Sequence, residues 1–596
     1  MVSDRTKSYD ARRIFDQFMR FRISMGIVGI LSLLVLTVPA LVHITSQPDV
    51  NPNLVSYNPP PAQNFHAPIS DMGLVGIANQ TSAVLTIDTS SHVNDSSATG
   101  VEPIHQNALR FTTDISYSPQ TETTIVVDPN NPSHILGGFN DQKFLVCRVI
   151  RTACIGSIPG SGTGFTISTD GGKSIAKSDD LPSVFLGPFL YNSFGDPSAA
   201  ATTDGNFFFS TVAFSIEGFG VLISKSNSSL FDPSVSCNTL QLEPTSNPCW
   251  HSVLIFPTQS FTPTMEDKPL LAVDRDLSSP FFGSVYVAWD HFFDDGTSAS
   301  YMARCTSDLS TCVMVSGGDQ PVLSGRDLFV SFTTPVVDKN GAVHVAWCNY
   351  GTFVTFGPVL CRIRSSPPGA TSFGPVTTIF SFMGAGTTLP RDTVTIGWAT
   401  EQFRTASIPF LAVDMSPKTN NLYFAIQACS SGHYYVIRSF FARDTPGDCG
   451  LSDVLFSVST DGGSTWSFPT NIANPAVNDQ PFVTVDPVTG HVFVFYYTTQ
   501  YDPFNHRIDV VASMSSTGGN RFKQIRLTTV SNEPDADPNM YFYFSPAGGA
   551  LSVPEYGDYF QAVASGGTLW VLFTANYAPE VGTFQTDPFL LIVGGL

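Results

Sequence analysis

One type of segment recurs along the chain, and this recurrence constrains the fold more than any other feature. Each copy has an apolar stretch, an aspartate, a turn and an aromatic-rich stretch, as in "TPVVDKNGAVHVAW" and "PFVTVDPVTGHVFVFYY". Apolar and polar residues alternate in these stretches, which indicates β-strands rather than helices. The seven copies align on Asp128, Asp204, Asp274, Asp338, Asp414, Asp486 and, where the aspartate is replaced, Ala564.

The spacing of the copies predicts the architecture. Consecutive copies lie 64–78 residues apart, which is about four strands with their turns, the size of one blade of a large β-propeller. The 47 glycines, 43 prolines and 12% aromatic residues are typical of an all-β protein with many short strands. We predict an all-β propeller of four-stranded blades, about seven in number with six as the alternative. We expect a strand from residues 109–116 to complete the last blade.

A second motif occurs twice, as "ISTDGGKS" at 167–174 and "VSTDGGSTW" at 458–466. An aspartate can accept hydrogen bonds from turn amides, and glycine provides the positive φ that closes a tight hairpin. The pattern resembles the Asp-box, or BNR repeat, of sialidase-like β-propellers. The matching residues are Ser459, Asp461, Gly463, Thr465 and Trp466 in one copy and Ser168, Asp170, Gly172 and Ser174 in the other.

The resemblance covers residues 109–596 through the repeat and has functional implications. In this family the Asp-box is a structural turn on the face opposite the ligand site. The resemblance implies recognition of extracellular carbohydrate or glycoprotein, and it makes glycoside hydrolysis a candidate activity. A non-catalytic adhesion or interaction propeller is the alternative.

The innermost strand of each blade is expected to begin at the mouth of the central channel, where propeller sites usually lie. Counting about seven residues back from each repeat aspartate gives Glu122, Asp196, Asp267, Ser331, Ser407, Asp479 and Asp558. Asp196, Asp267, Asp479 and Asp558 are therefore candidates for a catalytic carboxyl pair in which neighbouring charges raise one pKa. A Ca²⁺ site and structural capping of each strand entry are the alternatives.

The sequence contains only part of the residue pattern of a sialidase active site. The family binds its substrate carboxylate with three arginines, the first in an Arg-Ile-Pro motif that this chain lacks, and uses a Tyr–Glu nucleophile pair. Arginines in loops before innermost strands are Arg326, Arg391 and Arg404, and Glu555 and Tyr556 are candidates for the pair. Adjacent strand residues point to opposite faces, so Glu555 and Tyr556 are not expected to activate each other directly. Whether the protein is an enzyme stays open.

The segment "EPDADPN" offers a second place for calcium. Asp535, Asp537 and Asn539 are spaced two apart, as at the start of a Ca²⁺ loop, but the following glycine and the distal glutamate are missing. An acidic surface loop is the alternative, and no other cofactor is suggested by the sequence.

The N-terminal residues differ from the rest. Residues 1–22 are basic, and residues 23–42 have no charge and are long enough to cross a bilayer with the N-terminus inside. Cleavage after Ala40 as a signal peptide is the alternative. Residues 43–108 are rich in Pro, Asn and Ser and are typical of a linker. In either case we expect residues 109–596 to be exported, and membrane-anchored or secreted.

Cysteines and charge fit this expectation. All ten cysteines fall into close pairs, which predict local disulfides made in an oxidising compartment: Cys147–Cys154, Cys237–Cys249, Cys305–Cys312, Cys348–Cys361 and Cys429–Cys449. The chain carries a formal charge of −20, and residues 1–22 contribute +3, which leaves −23 for the remainder. So acidic a protein is not expected to bind nucleic acid.

Overall fold

The computed structural model divides the chain into two compact units, residues 1–61 and 62–596. All described residues belong to the second. They are 107–113, 119–141, 161–215, 217–237, 247–256, 264–315, 323–328, 330–350, 358–385, 388–390, 402–404, 407–430, 434–435, 448–449, 451–503, 507–534, 537, 541–544, 551–554, 556–577, 579–580 and 583–596. The predicted segments 1–22 and 23–42, and residues 43–106 of the predicted linker, lie outside the described residues. Within these ranges no helix is long and apolar enough to span a membrane.

The predicted all-β propeller is confirmed, and it has seven blades. Each blade is an antiparallel sheet with a core of four strands, innermost first. Blade A is Gln120–Val127, Ile135–Asp141, Thr163–Ser168 and Lys177–Asp180; blade B is Ser198–Ala201, Phe207–Ser215, Gly218–Ser226 and Trp250–Ile255; blade C is Met265–Val273, Val285–Phe292, Thr297–Cys305 and Cys312–Met314; blade D is Val330–Val337, Val343–Tyr350, Pro358–Ser366 and Thr377–Met383; blade E is Phe410–Val413, Leu422–Cys429, Ser452–Ser459 and Thr470–Asn471; blade F is Asn478–Val485, Val492–Thr498, Asp509–Ser515 and Lys523–Arg526; blade G is Gln561–Ser565, Thr568–Ala575, Asp587–Gly594 and Leu109–Arg110.

Short extra strands lie beside this ring. They are Val184–Leu186, Phe189–Ser193, Asp327–Leu328, Thr388–Pro390, Gln402–Arg404, Tyr434–Tyr435, Asp448–Cys449, Tyr541–Phe544, Leu551–Pro554, Pro579–Glu580 and Thr583–Phe584.

Blade G closes the ring by taking its outer strand from the start of the propeller, as the sequence predicts. Leu109 pairs with Leu590 and Arg110 with Phe589. The Arg110 guanidinium also forms a salt bridge of 2.5 Å with the buried Asp587. The two ends of the propeller chain are therefore joined in one sheet, which removes a free sheet edge at the joint.

The two faces of the ring differ. On the turn face the innermost strands end, and short turns such as 338–342 lead to the second strands. On the mouth face the innermost strands begin and the second strands end.

The two Gly-Gly turns lie on the turn face and have the same hydrogen bonds. The Ser168 hydroxyl donates to Asp170 at 2.8 Å and accepts from the Gly172 amide at 2.9 Å, and the second turn repeats both distances. Each turn also contacts the preceding blade: Ser365 donates to the Gly462 carbonyl, and the Trp570 indole donates to the Gly171 carbonyl. These turns therefore stabilise seams between blades. Trp466, at the end of the second turn, is partly buried against the core.

Three of the five predicted disulfides are present: Cys237–Cys249, Cys305–Cys312 and Cys348–Cys361. The last two join directly paired residues of neighbouring strands. The pairs Cys147–Cys154 and Cys429–Cys449 include side chains outside the described residues.

Candidate functional site

The innermost strands share an irregular backbone near the mouth face. Five non-glycine residues there have φ between 49° and 60°, namely Glu122, Asp196, Lys268, Phe332 and Gln480. In blades A, C, D and F the pairing with the second strand shifts at this point, as in a β-bulge. A left-handed conformation costs a non-glycine residue about 1–3 kcal/mol, so other contacts must stabilise each bulge.

Side chains from the preceding blade supply these contacts. Asn140 of blade A accepts a hydrogen bond from the Asp196 amide at 2.7 Å. Asp290 of blade C accepts from the Phe332 amide and, at 2.8 Å, from the Ser331 hydroxyl. The backbone at Asp196 and at Phe332 is therefore held in place by the preceding blade of the ring.

The bulges bring charged side chains from four blades to one point, which we call the mouth cluster: Glu122, Asp196, Asp267, Lys268 and Asp558. The Lys268 ammonium lies 2.7 Å from Asp558, 3.1 Å from Glu122 and 4.0 Å from Asp196. All five residues are at most 1% exposed. Phe332 and Tyr559 place their rings 5.8 and 5.5 Å from the ammonium. The cluster thus holds its own cation in a dry environment.

Backbone groups connect the members of the mouth cluster. Glu122 accepts from the Asp558 amide at 3.1 Å, and Asp196 accepts from the Lys268 amide at 3.1 Å. Gly557 is adjacent, and a Cβ atom there would lie 2.3 Å from the Glu122 side chain. Blades A, B, C and G are joined through this single cluster.

The electrostatics of the mouth cluster follow from its burial. Burial raises the pKa of Asp196 to about 8, although Lys268 opposes the rise. Burial likewise raises the pKa of Glu122 well above its ordinary value, against the effect of Lys268. Burial alone would lower the pKa of Lys268, but Asp196, Asp558, Glu122 and Asp267 together raise it well above the usual value. Near neutral pH the cluster therefore combines the Lys268 ammonium with an Asp196 carboxyl that holds a proton.

The other sequence candidates lie elsewhere. Asp479 is 3% exposed and accepts from the amide of the next residue, Gln480. Tyr556 is fully buried and packs its ring against Tyr497 between blades F and G. Asp537 is buried and accepts from the Thr586 amide. Arg326 is on the surface, beside Asp295.

The remaining candidates cannot be placed. Glu555, Arg391, Asp535 and Asn539 lie outside the described residues, as does the side chain of Arg404. Among the described side chains, no group of three or more His, Cys, Asp or Glu is arranged to hold a metal ion.

Sequence reasoning missed Lys268, although it stands next to Asp267. Counting six residues back from the repeat aspartates of blades A and C gives Glu122 and Lys268, and the same count from Ala564 gives Asp558. Counting about seven back instead selected Asp267. The signal available in the sequence was therefore the position six residues before the repeat position, which blades A, C and G share.

Two surface patches lie at the rim of the mouth face. In blade C, the Arg326 guanidinium stacks 3.9 Å from the Phe293 ring centroid and pairs with Asp295. The Phe293 ring meets His291 edge to face at 4.5 Å, and His291 bonds the buried Glu266 at 2.7 Å. Burial raises the pKa of Glu266. This chain of contacts connects the exposed rim with the strand that carries Asp267 and Lys268.

In blade F, the rim patch has planar amides beside an aromatic ring. The Tyr501 side chain is 38% exposed, and the Arg526 guanidinium stacks 4.5 Å from its ring centroid. Asn474 donates to Gln500 at 2.8 Å and to Gln524 at 2.6 Å, and Gln500 donates to Gln524 at 2.9 Å. We call these five residues the blade F rim patch.

No protein-family model and no curated protein matches the sequence. Similar solved structures include the Hadza microbial sialidase Hz136, with 11% identity, 71% of this chain and 73% of that chain covered, and a TM-score of 0.35.

Two further matches are of the same kind. The α-L-arabinofuranosidase arb93a of Fusarium graminearum has 8% identity, covers 81% of this chain and 97% of that chain, and has a TM-score of 0.37. A Trypanosoma rangeli sialidase has 10% identity, covers 69% and 58%, and has a TM-score of 0.35. The matches include sialidases, the family that the turn motif resembles. At these identities and TM-scores they establish nothing about the activity of this chain.

Proposed function

We propose that the protein is an exported β-propeller that recognises extracellular glycans on its mouth face. The observation that carries the proposal is the blade F rim patch, where Tyr501 is exposed beside Arg526 and three interconnected amides. An aromatic ring provides a flat apolar surface with a polar tip. Asn, Gln and Arg side chains provide planar donors and acceptors that match the hydroxyl groups of a sugar ring.

The fold gives independent support for the mouth face. Binding residues tend to lie on loops held by a rigid scaffold, and both rim patches lie where a second strand ends on the mouth face, after Phe292 in blade C and after Thr498 in blade F. The blade C rim patch repeats the stacking of an arginine on an aromatic ring. On the turn face, the polar groups of the two Gly-Gly turns bond one another.

Export is part of the proposal and is supported by the disulfides. Three are present among the described residues, and disulfides persist mainly in oxidising compartments. The uncharged segment 23–42 supplies the export signal in this proposal.

The mouth cluster favours a second candidate function, glycoside hydrolysis. Asp196, with its pKa raised to about 8 by burial, would hold the proton that a general acid delivers to the leaving oxygen. Asp558, paired with Lys268, would be the second carboxyl of the pair. Both side chains are fully buried, so hydrolysis requires a sugar to reach them, whereas recognition at the rim does not.

Glycan binding is tested with the purified full-length chain on an array of neutral and acidic oligosaccharides. We expect Tyr501→Ala to weaken binding about tenfold or more through loss of the stacking surface. Gln500→Ala should weaken it less, because one polar contact contributes about 1 kcal/mol. The matched control is Tyr423→Phe in the buried core, which should bind like the wild type. Equal binding by wild type and Tyr501→Ala would contradict the proposal.

Hydrolysis is tested separately with a panel of chromogenic glycosides. Turnover that Asp196→Asn and Asp558→Asn abolish, and that Asp479→Asn retains, would establish the second function. Absence of turnover in a wild-type sample that binds glycans would leave recognition as the function.

A further inference from the structure

The seven innermost strands enclose a channel that the mouth cluster does not use. Its volume is about 400 Å³, within the usual size range of small-molecule sites. The lining is mainly aliphatic and comes from every blade, for example from Ile125, Leu271, Val336, Leu411, Val483 and Val563. Residues at the turn-face ends of these strands belong to the lining, including Val488, which is 64% exposed. The channel therefore opens on the turn face, opposite the rim patches.

One charged side chain in this lining has no counterion. Arg275 follows the repeat aspartate of blade C, and its Nε donates to the Ala201 carbonyl of blade B at 2.7 Å. Among the described residues no carboxylate forms a salt bridge with Arg275. Burial lowers the pKa of this guanidinium, with no charged group contributing. Its remaining N–H groups are donors in an apolar channel, where an anion would be a strong acceptor.

The acidic residue in the lining does not neutralise Arg275. Asp128 lies at the same face in blade A, and its carboxylate accepts from the Asn130 amide at 2.9 Å. Its other oxygen lies 3.9 Å from the His134 ring nitrogen. Asp128 is therefore engaged by its own turn.

We propose that this channel binds a small amphipathic carboxylate, with the carboxylate on Arg275 and an aliphatic or aromatic body among the seven strands. A guanidinium forms two parallel hydrogen bonds with a carboxylate. Arg275 is the only cation among the described residues that line the channel, which favours a monoanion over a phosphate. The aliphatic walls stabilise the body of the ligand by burying its apolar surface.

The site differs from the proposed glycan site in place and chemistry. The glycan patch is an exposed polar surface on the mouth face, whereas the channel is a concave apolar site on the turn face. The formal charge of −20 opposes long-range attraction of anions, and salt screens that repulsion. Binding in the channel therefore depends on contact with Arg275 and should weaken little between low and physiological salt.

The experiment is calorimetric titration of the full-length chain with octanoate and with octanamide, which has a similar shape but no charge. We expect one octanoate per chain and about tenfold weaker binding of octanamide, because the charge-assisted bonds are lost. Arg275→Gln keeps a donor for the Ala201 carbonyl and should weaken octanoate binding about tenfold without affecting octanamide. The matched control is Arg521→Gln, an exposed arginine in a turn on the same face, which should bind like the wild type.

Two further variants keep the test decisive. Ala412→Phe should abolish binding of both ligands by filling the channel, with the melting temperature confirming a folded protein. Arg275→Lys keeps the charge without the two parallel donors and should fall between wild type and Arg275→Gln. The proposal is overturned if octanoate at millimolar concentration produces no binding heat. It is also overturned if octanamide binds as well as octanoate, or if folded Arg275→Gln matches the wild type. Glycan binding is unaffected in each case, so the two proposals fail independently.

Discussion

The clearest perturbation of this ring is Lys268→Met, which removes the ammonium of the mouth cluster and keeps a side chain of similar length. The ammonium lies 2.7 Å from Asp558 and 3.1 Å from Glu122. At an effective dielectric constant of about 20, these two contacts correspond to attractions of about 6 and about 5 kcal/mol. Desolvation of the ions offsets most of this gross attraction.

The net loss of stability depends on the buried charges that remain after the substitution. Breaking a buried ion pair by removing one partner costs about 3–5 kcal/mol, because the other charge stays buried without compensation. We therefore expect Lys268→Met to lower the free energy of unfolding by about 3–5 kcal/mol at pH 7. The substitution also removes the group that opposes the raised pKa values of Asp196 and Glu122. Both carboxyls will bind protons more tightly in the folded variant.

The sign of the pH dependence distinguishes this account from simple loss of packing. Protonated carboxyls do not need the ammonium. Asp196 already holds its proton below about pH 8 in the wild type, so the two folded proteins differ in bound protons mainly above that pH. The deficit of the variant should therefore grow as the pH rises from about 7 to about 9.5, by at most about 1.4 kcal/mol per pH unit and proton. The assay is urea unfolding followed by fluorescence at each pH. The control is Lys339→Met, since Lys339 donates to two backbone carbonyls; its loss should be about 1 kcal/mol and independent of pH. A Lys268→Met deficit below about 1 kcal/mol, or one equal at about pH 7 and about pH 9.5, would refute the reasoning.

Four other substitutions test separate parts of the fold. Gly557→Ala should cost more than about 2 kcal/mol, because its φ is 78° and its Cβ would lie 2.3 Å from the Glu122 side chain. Gly566→Ala, with φ 59° but open space around it, should cost only about 1 kcal/mol in the same thermal melt. Asp461→Ala removes three hydrogen bonds of the second Gly-Gly turn and should cost about 1–2 kcal/mol while glycan binding on the array stays unchanged. Burial raises the pKa of Asp290 from 3.8 to about 6, so the folded state retains a proton that the unfolded state releases. Stability should therefore fall by up to about 3 kcal/mol between pH 4 and 6, and in urea titrations Asp290→Asn should lack that part of the slope.

The repeat predicted most of the fold because each blade repeats the same local pattern. The aspartates at the ends of the innermost strands set the blade count, and the strand at Leu109–Arg110 closes the ring as expected. The close cysteine pairs predicted the three observed disulfides because paired strands bring such residues together. The blade pattern and the disulfides depend on short-range sequence relations, whereas the closing strand was predicted because the last blade needs a further strand.

The mouth cluster depends on relations that the sequence does not display. Glu122 and Asp558 are 436 residues apart, and they meet because the ring joins its first and last blades. The pairing of the innermost strand of blade C is shifted by a bulge between Asp267 and Leu270. A count made on the sequence alone therefore placed Asp267, and not Lys268, at the mouth. The rim patches were missed for another reason: Gln500, Gln524 and Tyr501 are ordinary surface residue types until the fold brings them together.

The strand shared between the two ends of the propeller has a consequence for biosynthesis. Residue 109 is made early, but its partner strand, Asp587–Gly594, follows much later in the chain. A nascent chain cannot form blade G before this strand has left the ribosome. Until then, unpaired strand edges remain exposed to other chains. We therefore expect synthesis of Asp587–Gly594, rather than formation of the first blades, to limit the yield of native protein.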